Sequence, residues 1–403
     1  MPIFDQGYQH WQGPLSGHAW RWLAIARHGV RVQLKGRILR LLLLVAWLPA
    51  IALVVTLALW GLMEQGSASV LGLLGRLLPP GMLEEPAAYR AAVWTLAYSF
   101  FFKFEMFFIM LLVVVAGPGL VSADLRFNAL PLYFSRPLGR LDYFLGKLGV
   151  IAALVAAVAV GPAVVAYVLG VCFSLDLGVV RDTWRLLPAS LAYGLVIVAS
   201  AGTLMLALSS LSRRSLYVGI AWVGLWVVGG AVAGVLTGVE QDTIRRDIMQ
   251  EELAGAGLGD PPKWAGKSDD EWKRYWEEYE RVRERAQPRI DRARGEAARS
   301  DWRPLCSYTA NLERLGEELL GSDAAWVRVG RAVAAPQAAL GRVFPFGRPR
   351  GARAAAPEVN ERRLADQYVP QYPWVWSAGI LAGLLGLSVC TLSARVRSLD
   401  RLR

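Results

Sequence analysis

The sequence predicts an all-α integral membrane protein with six transmembrane helices. To these it adds an amphipathic N-terminal interfacial helix and a large, mainly helical extracytoplasmic insertion between spans five and six. Three observations lead there. Hydrophobic residues make up 54% of the 403 positions. Six apolar runs reach about 20 residues, the length that crosses a bilayer. The segment from Glu240 to Asp366 carries 23 Lys/Arg against 23 Asp/Glu, so the whole net charge of +11 belongs to the apolar part of the chain. A basic excess confined to membrane-flanking segments sets orientation in a bilayer and argues against nucleic-acid binding.

Residues 1–38 form a cytoplasmic N-terminus. Within it Arg27, Arg31 and Lys35 are spaced four apart, while Trp22, Ile25 and Val32 recur on another side. This pattern predicts an amphipathic helix lying on an anionic membrane surface. Spans one to five occupy 39–238, at about 39–62, 93–116, 148–172, 187–208 and 216–238. Pro49 predicts a kink in the first. The second opens at Trp94 and Tyr98 and contains Lys103 and Glu105, the only charges deep in any span. Charges in lipid are expensive and face protein or water. Two residues apart, they cannot share a helical face, so they meet different partners. Either they gate or line a substrate path, or they are paired structurally or reach for the boundary.

The third span is rich in Ala, Val and Gly, which suits close helix packing. In the fifth, Gly230, Gly234 and Gly238 recur every four residues, a face for helix packing or for a dimer, and Gly379 and Gly383 repeat the spacing in the sixth. The insertion covers 239–370. Asp269–Arg299 predicts helices interrupted at Pro288, with Trp272, Tyr275, Trp276 and Tyr279 as an apolar stripe that is either buried against neighbouring helices or, second, binds a ligand. Residues 301–322 predict another helix, and about 331–360 a linker. Residues 371–403 hold the sixth span, about 373–393, and a basic cytoplasmic tail. Counting basic residues in the short connections places both termini, the 117–147 loop and Arg213-Arg214 on the cytoplasmic side.

Little in the chain supports covalent chemistry. Cys172 and Cys390 lie in apolar runs and Cys306 stands alone, so neither a disulfide framework nor a metal-ligand spacing is predicted. His10, His18 and His28 all precede the first span, and no cleavable signal is evident. Gly266-Lys267-Ser268 lacks the first glycine of a phosphate loop, with Pro261 in its place, and no strand precedes it. No catalytic residue, metal site or cofactor is predicted in this chain.

The most distinctive stretch is the connector 117–147 between spans two and three. It bears Arg126, Arg136, Arg140 and Lys147 against Asp124 and Asp142, and is broken by Pro131, Pro137 and Gly139. Gly117–Gly119, Asp124-Leu125-Arg126, Ala129–Tyr133, Ser135-Arg136-Pro137, Tyr143 and Gly146-Lys147 together resemble the cytoplasmic loop of bacterial ABC type-2 permeases, the membrane subunits of ABC exporters. Six spans, internal termini and a basic tail are similar to that family too.

The resemblance implies a multi-pass protein of the bacterial cytoplasmic (inner) membrane that pairs with a second permease copy or paralogue and with an ABC ATPase subunit. ATP would then be bound by that separate subunit. It implies an ATPase-coupling loop containing Asp124, Arg126, Asn128, Pro131, Tyr133, Arg136, Pro137 and Arg140, whose movement passes to spans two and three, and a pairing surface on spans one and five. Family members usually have only short re-entrant helices between spans five and six, whereas about 130 residues intervene here. Membrane lipid and an extracytoplasmic protein are further expected partners. Two other readings of the residues stay open. One is a non-transporting anchor or sensor whose 239–370 domain binds an extracytoplasmic partner; the other is a membrane-embedded enzyme using Lys103 and Glu105.

Overall fold

A computed structural model describes residues 20–74, 78–130, 133, 138–174, 176–258, 269–343 and 371–400. Among them there is no strand. Six helices are long and apolar enough to cross a membrane: Arg37–Glu64, Pro86–Arg126, Arg140–Ser174, Gly178–Leu211, Ser215–Gly255 and Trp374–Arg395. The protein is therefore an all-α, multi-pass membrane protein. These helices overrun the apolar windows of the sequence because helical text continues past the hydrocarbon-length core on both sides. The connections alternate between two ends of the bundle. The connection between spans two and three marks one, called here the loop end, and the start of the long connection between spans five and six marks the other, the far end.

Span one breaks where Pro49 directs. One helix stops at Val45, and a second, Leu48–Glu64, starts with Pro49 in its first turn, where a missing N–H leaves no bond unmade. Spans two and three run antiparallel in a fixed register. Tyr98 Oη donates to Ala163 O at 2.7 Å, and Trp94 meets Tyr167 edge-on at 5.6 Å. Three spans contain a π turn: Ala156–Val160, Val198–Gly202 and Gly224–Val228. Each replaces i→i+4 bonds by wider i→i+5 closures, a local departure that marks sites of altered packing.

The N-terminal helix Arg21–Gln33 forms, but its apolar side is turned to protein. Ile25 and Ala26 lie against Gly146 and Gly149 of span three, where an added Cβ would stand 2.6 and 2.9 Å from them. The expected membrane-facing stripe is thus partly spent on a helix–helix contact. Val32, Arg27 and Arg31 stay exposed.

Beyond the far end, span five continues as one helix, Gly229–Gly255, and Asp269–Arg299 runs back along it. Met249, Ala286 and Ile290 form the seam, and Arg289 pairs with Glu251 and Glu252. The expected interruption at Pro288 does not occur. The helix passes through it unbroken, because the carbonyl that the proline leaves without a donor lies on an exposed stretch that water can satisfy. The aromatic stripe is not buried as expected. Trp272, Tyr275 and Tyr279 are half-buried and Trp276 is exposed, with only Tyr279 reaching the seam.

The chain then returns among the spans. Arg303 binds Glu240 at 2.9 Å, and the next turn, Arg303–Cys306, lies beside Gly229. Ser307 caps the helix Tyr308–Leu320 by accepting the Ala310 N–H, and Gly321, at φ 75°, ends it. That helix packs against spans two, four and six. Tyr308 Oη donates to Ser200 Oγ at 3.1 Å beside the π turn of span four, and Tyr308 meets Trp222 of span five edge-on. Gly316 fits under the ring of Tyr193. A second helix, Ser322–Val343, returns along span two, with Ala325 against Ala92 and Leu96.

Candidate functional site

The helix Gly119–Arg126 follows span two almost without a break. Its first N–H groups have no partner within the helix, and Pro118 offers no side-chain acceptor. Ser209, at the loop end of span four, supplies one. Its Oγ accepts from Val121 N at 3.1 Å and Ser122 N at 2.9 Å, and donates to Pro118 O at 2.7 Å. Ser209 is fully buried. Gly117 closes the contact, since a Cβ there would stand 2.3 Å from Met205 Cγ. The helix is thus capped by a different span.

Its other end is held by span three. Asp124 accepts a hydrogen bond from Tyr143 Oη at 2.6 Å and an ion pair from Lys147 Nζ at 2.7 Å. The Lys147 ammonium also stands over the rings of Tyr133 and Tyr143, 5.7 and 5.4 Å from their centroids. Burial and the Asp124 charge push the Tyr133 phenol above its ordinary range. Between these anchors the backbone turns at Asn128, whose φ of 50° is a left-handed conformation that asparagine tolerates, while Ala129 N closes onto Asp124 O. Asp142 accepts the Gly139 N–H at 3.0 Å and starts the next helix.

Arginines and large apolar side chains are turned outward. Arg126 stacks on Phe127, 5.4 Å from its centroid, and Phe127 is 73% exposed. Arg140 is exposed beside Leu141, which is 76% exposed. Arginine with large apolar side chains suits either a protein partner or the membrane–water interface. Pro131, Arg136 and Pro137 lie outside the described residues. Of the eight loop residues expected to act together, Asp124 and Tyr133 are internal supports, Asn128 shapes the turn, and Arg126 and Arg140 face out.

Lys103 and Glu105 diverge. Lys103 is exposed, with Nζ 3.9 Å from Glu313 Oε2 on the helix Tyr308–Leu320. Glu105 is fully buried, and neither carboxylate oxygen has a hydrogen-bond partner among the described residues. A Cβ added at Gly234 or Gly238 would meet nothing within 4 Å, and at Gly230 only Ser307 Oγ would come near, at 3.9 Å. This face packs no spanning helix of its own chain among the described residues.

Two features escape sequence reasoning. Ser209 belongs to an ordinary run of serines, and only the folded bundle sets it over Pro118. Arg90, at the far end of span two, gathers three carboxylates from separate segments: Glu64 at 2.8 Å, Asp176 at 2.9 Å and Asp182 at 3.4 Å. No three His, Cys, Asp or Glu side chains converge as a metal site among the described residues. Comparison of the chain with protein families, with curated proteins and with solved structures finds no match.

Proposed function

We propose that the chain is the membrane subunit of an ATP-driven exporter of the ABC type-2 kind, taking its energy from a separate ATPase through the 117–147 loop. The observation that carries this reading is the loop's construction. Its helix is bolted to span four through Ser209 and to span three through Asp124, Tyr143 and Lys147, while Arg126, Phe127, Arg140 and Leu141 face outward. A surface built this way passes a push on to three spans at once. Differential contact with open and closed ATPase supplies the coupling free energy. The helices Tyr308–Leu320 and Ser322–Val343, packed among the spans, account for part of the long segment in which this chain departs from the family's usual short re-entrant helices.

In this reading the basic residues of the short connections put the loop end, and both termini, in the cytoplasm of a bacterium, with the protein in its inner membrane. The second permease copy or paralogue meets spans one and five, whose outward faces include Gly234 and Gly238. The test is purification in mild detergent followed by identification of bound proteins. The expected result is an ATPase with a phosphate loop that is lost when 124–142 is replaced by a neutral linker. Recovery of the same ATPase with the replaced loop refutes the assignment. Recovery of only a soluble extracytoplasmic protein supports the anchor reading instead.

A further inference from the structure

We propose that Glu105 is a proton-binding site: its carboxyl carries a proton in this conformation and passes it to water when spans two and three separate. The inference rests on geometry within this chain and holds with or without the ATPase reading.

Glu105 lies near the middle of the 41-residue helix Pro86–Arg126, is 0% exposed, and has two oxygens without hydrogen-bond partners among the described residues. An ionised carboxylate in that position has neither water nor a donor to replace water, and is strongly disfavoured against the neutral acid. An apolar side chain would fill the space at lower cost. A buried ionisable group that no partner satisfies marks a candidate functional position, and its charged form requires another state of the bundle.

The register of the two spans sets what lies at the level of the acid. Trp94 faces Tyr167, and Tyr98 faces Ala163. Glu105 is seven residues from Tyr98, two helical turns and about 10 Å along the same face. Seven residues back from Ala163 is Ala156, where the π turn Ala156–Val160 begins. Span two is in contact with this turn. Its side chains are only Ala and Val, and Pro162 just beyond it supplies no N–H, so one carbonyl of the turn lacks its helical donor. Gly161 is required there, since a Cβ would come within 2.9 Å of Ala156 O. The buried acid thus lies at about the level of the stretch of span three whose helical bonding is interrupted by a π turn, a stretch that span two touches.

No basic side chain on the neighbouring elements serves as its partner. Lys103 projects from another face toward Glu313, with Glu317 and Arg314 near it. Lys147 is engaged by Asp124, nine residues toward the loop end from Ala156. Arg37 and Arg40 belong to the loop end of span one, Glu64 and Asp182 to the far-end cluster on Arg90, and Asp323 to Arg314. Tyr308 is spent on Ser200, and Tyr167 and Tyr217 lie beside Trp94 and Arg214. When the face opens, the carboxyl O–H bond breaks, the electron pair stays on the carboxylate, and the proton goes to a water molecule entering between the spans.

The test is infrared difference spectroscopy of the full-length protein in detergent, wild type against Glu105→Gln, over a pH series in water and in heavy water. The expected result is a protonated-carboxyl band at neutral pH in the wild type, absent in the variant. It shifts in heavy water and vanishes reversibly at alkaline pH while helix content by circular dichroism stays constant. Absence of the band at neutral pH overturns the proposal. So does a band that neither exchanges nor titrates before the helices unfold, which marks a sealed neutral group. Should Glu105→Gln not fold, Glu105→Asp provides the second variant: the proposal requires its band to move in frequency rather than disappear.

Discussion

Two halves of this bundle are built on different terms. In the most apolar stretches of spans two and four, 61% and 56% of residues are buried within the chain; in span five the share is 17%. The glycines divide the same way. Gly29, Gly61, Gly146, Gly149, Gly194 and Gly316 sit where a Cβ would collide with a neighbouring helix, at 2.3 to 2.9 Å. Gly234, Gly238, Gly379 and Gly383, the residues whose four-residue spacing advertises close packing, meet nothing within 4 Å. The lesson is that spacing marks a surface able to pack, whereas the partner is decided elsewhere. On the packed side the partner is this chain; on the open side it has to be lipid or another protein.

The largest effects are expected where the packed half also holds charge. Arg90 and Glu64 are both almost fully buried and bidentate, and Trp60 Nε1 donates to the same carboxylate. Arg90→Met leaves Glu64 buried without its cation. The expected loss is about 3 kcal/mol, the lower end for a broken buried pair because Asp176 and Asp182 open to water. The double variant Arg90→Met, Glu64→Leu should recover much of it. Arg289→Met on the far hairpin, where the pair with Glu251 and Glu252 is exposed, should leave the unfolding midpoint unchanged. Thermal unfolding in detergent separates the three, and an Arg90 variant as stable as wild type would remove the basis for a rigid far end.

Glycine substitutions sharpen the comparison directly. Gly61→Ala drives a methyl into the backbone of Phe173, which cannot rotate away, and is expected to cost about 1–3 kcal/mol. Gly234→Ala meets no atom and should raise helix stability by up to ~1 kcal/mol in the isolated chain. Gly234→Leu decides what covers the open face: a second protein chain there predicts loss of the complex on size-exclusion chromatography with the monomer still folded, and lipid alone predicts no change.

How much of this was readable beforehand depends on the range of the interaction. The six spans follow from apolar length, and the break in span one from Pro49, because both are local properties. The helix at 308–320 was readable as a helix, but its Glu- and Arg-bearing text pointed away from the bundle. Its place among the spans comes from Tyr308, Leu312 and Gly316, one face whose partners Ser200, Trp222 and Tyr193 lie about a hundred residues away. Pro288 misled in the opposite direction, since a proline signal weighs less on an exposed helix already paired along its length. Within the loop, the charges and turn residues were legible and their division into internal and outward groups was not. Lys147 and Asp124 became a support only once span three had brought Tyr143 between them.

A smaller effect belongs to the loop cap. Ser209→Ala removes the acceptor for two buried N–H groups and the donor to Pro118, at an expected cost of about 1–2 kcal/mol. Because the lost bonds are local, the change should show as faster hydrogen exchange at Val121 and Ser122, with the exchange of Pro86–Ala116 unaltered. Uniformly faster exchange across spans two and four would mean that Ser209 supports the bundle rather than the loop helix.

The smallest expected effect is a pH dependence at the far end. The Gly178 N–H, and then the Arg90 guanidinium, hold the Asp176 carboxyl below its ordinary range of about 3.8. A carboxylate whose folded value lies below its unfolded value adds stability above the unfolded value and loses it as pH falls through the folded one. The contribution of Asp176 should therefore be complete at neutral pH and disappear only below about pH 3.8. Asp176→Asn should lower the unfolding midpoint slightly at neutral pH and not at all in strong acid, where both proteins carry a neutral side chain at this position. A difference between them that persists in acid would assign the role of Asp176 to the turn it forms with Gly178, and leave Glu64 as the counter-charge that holds Arg90 in place.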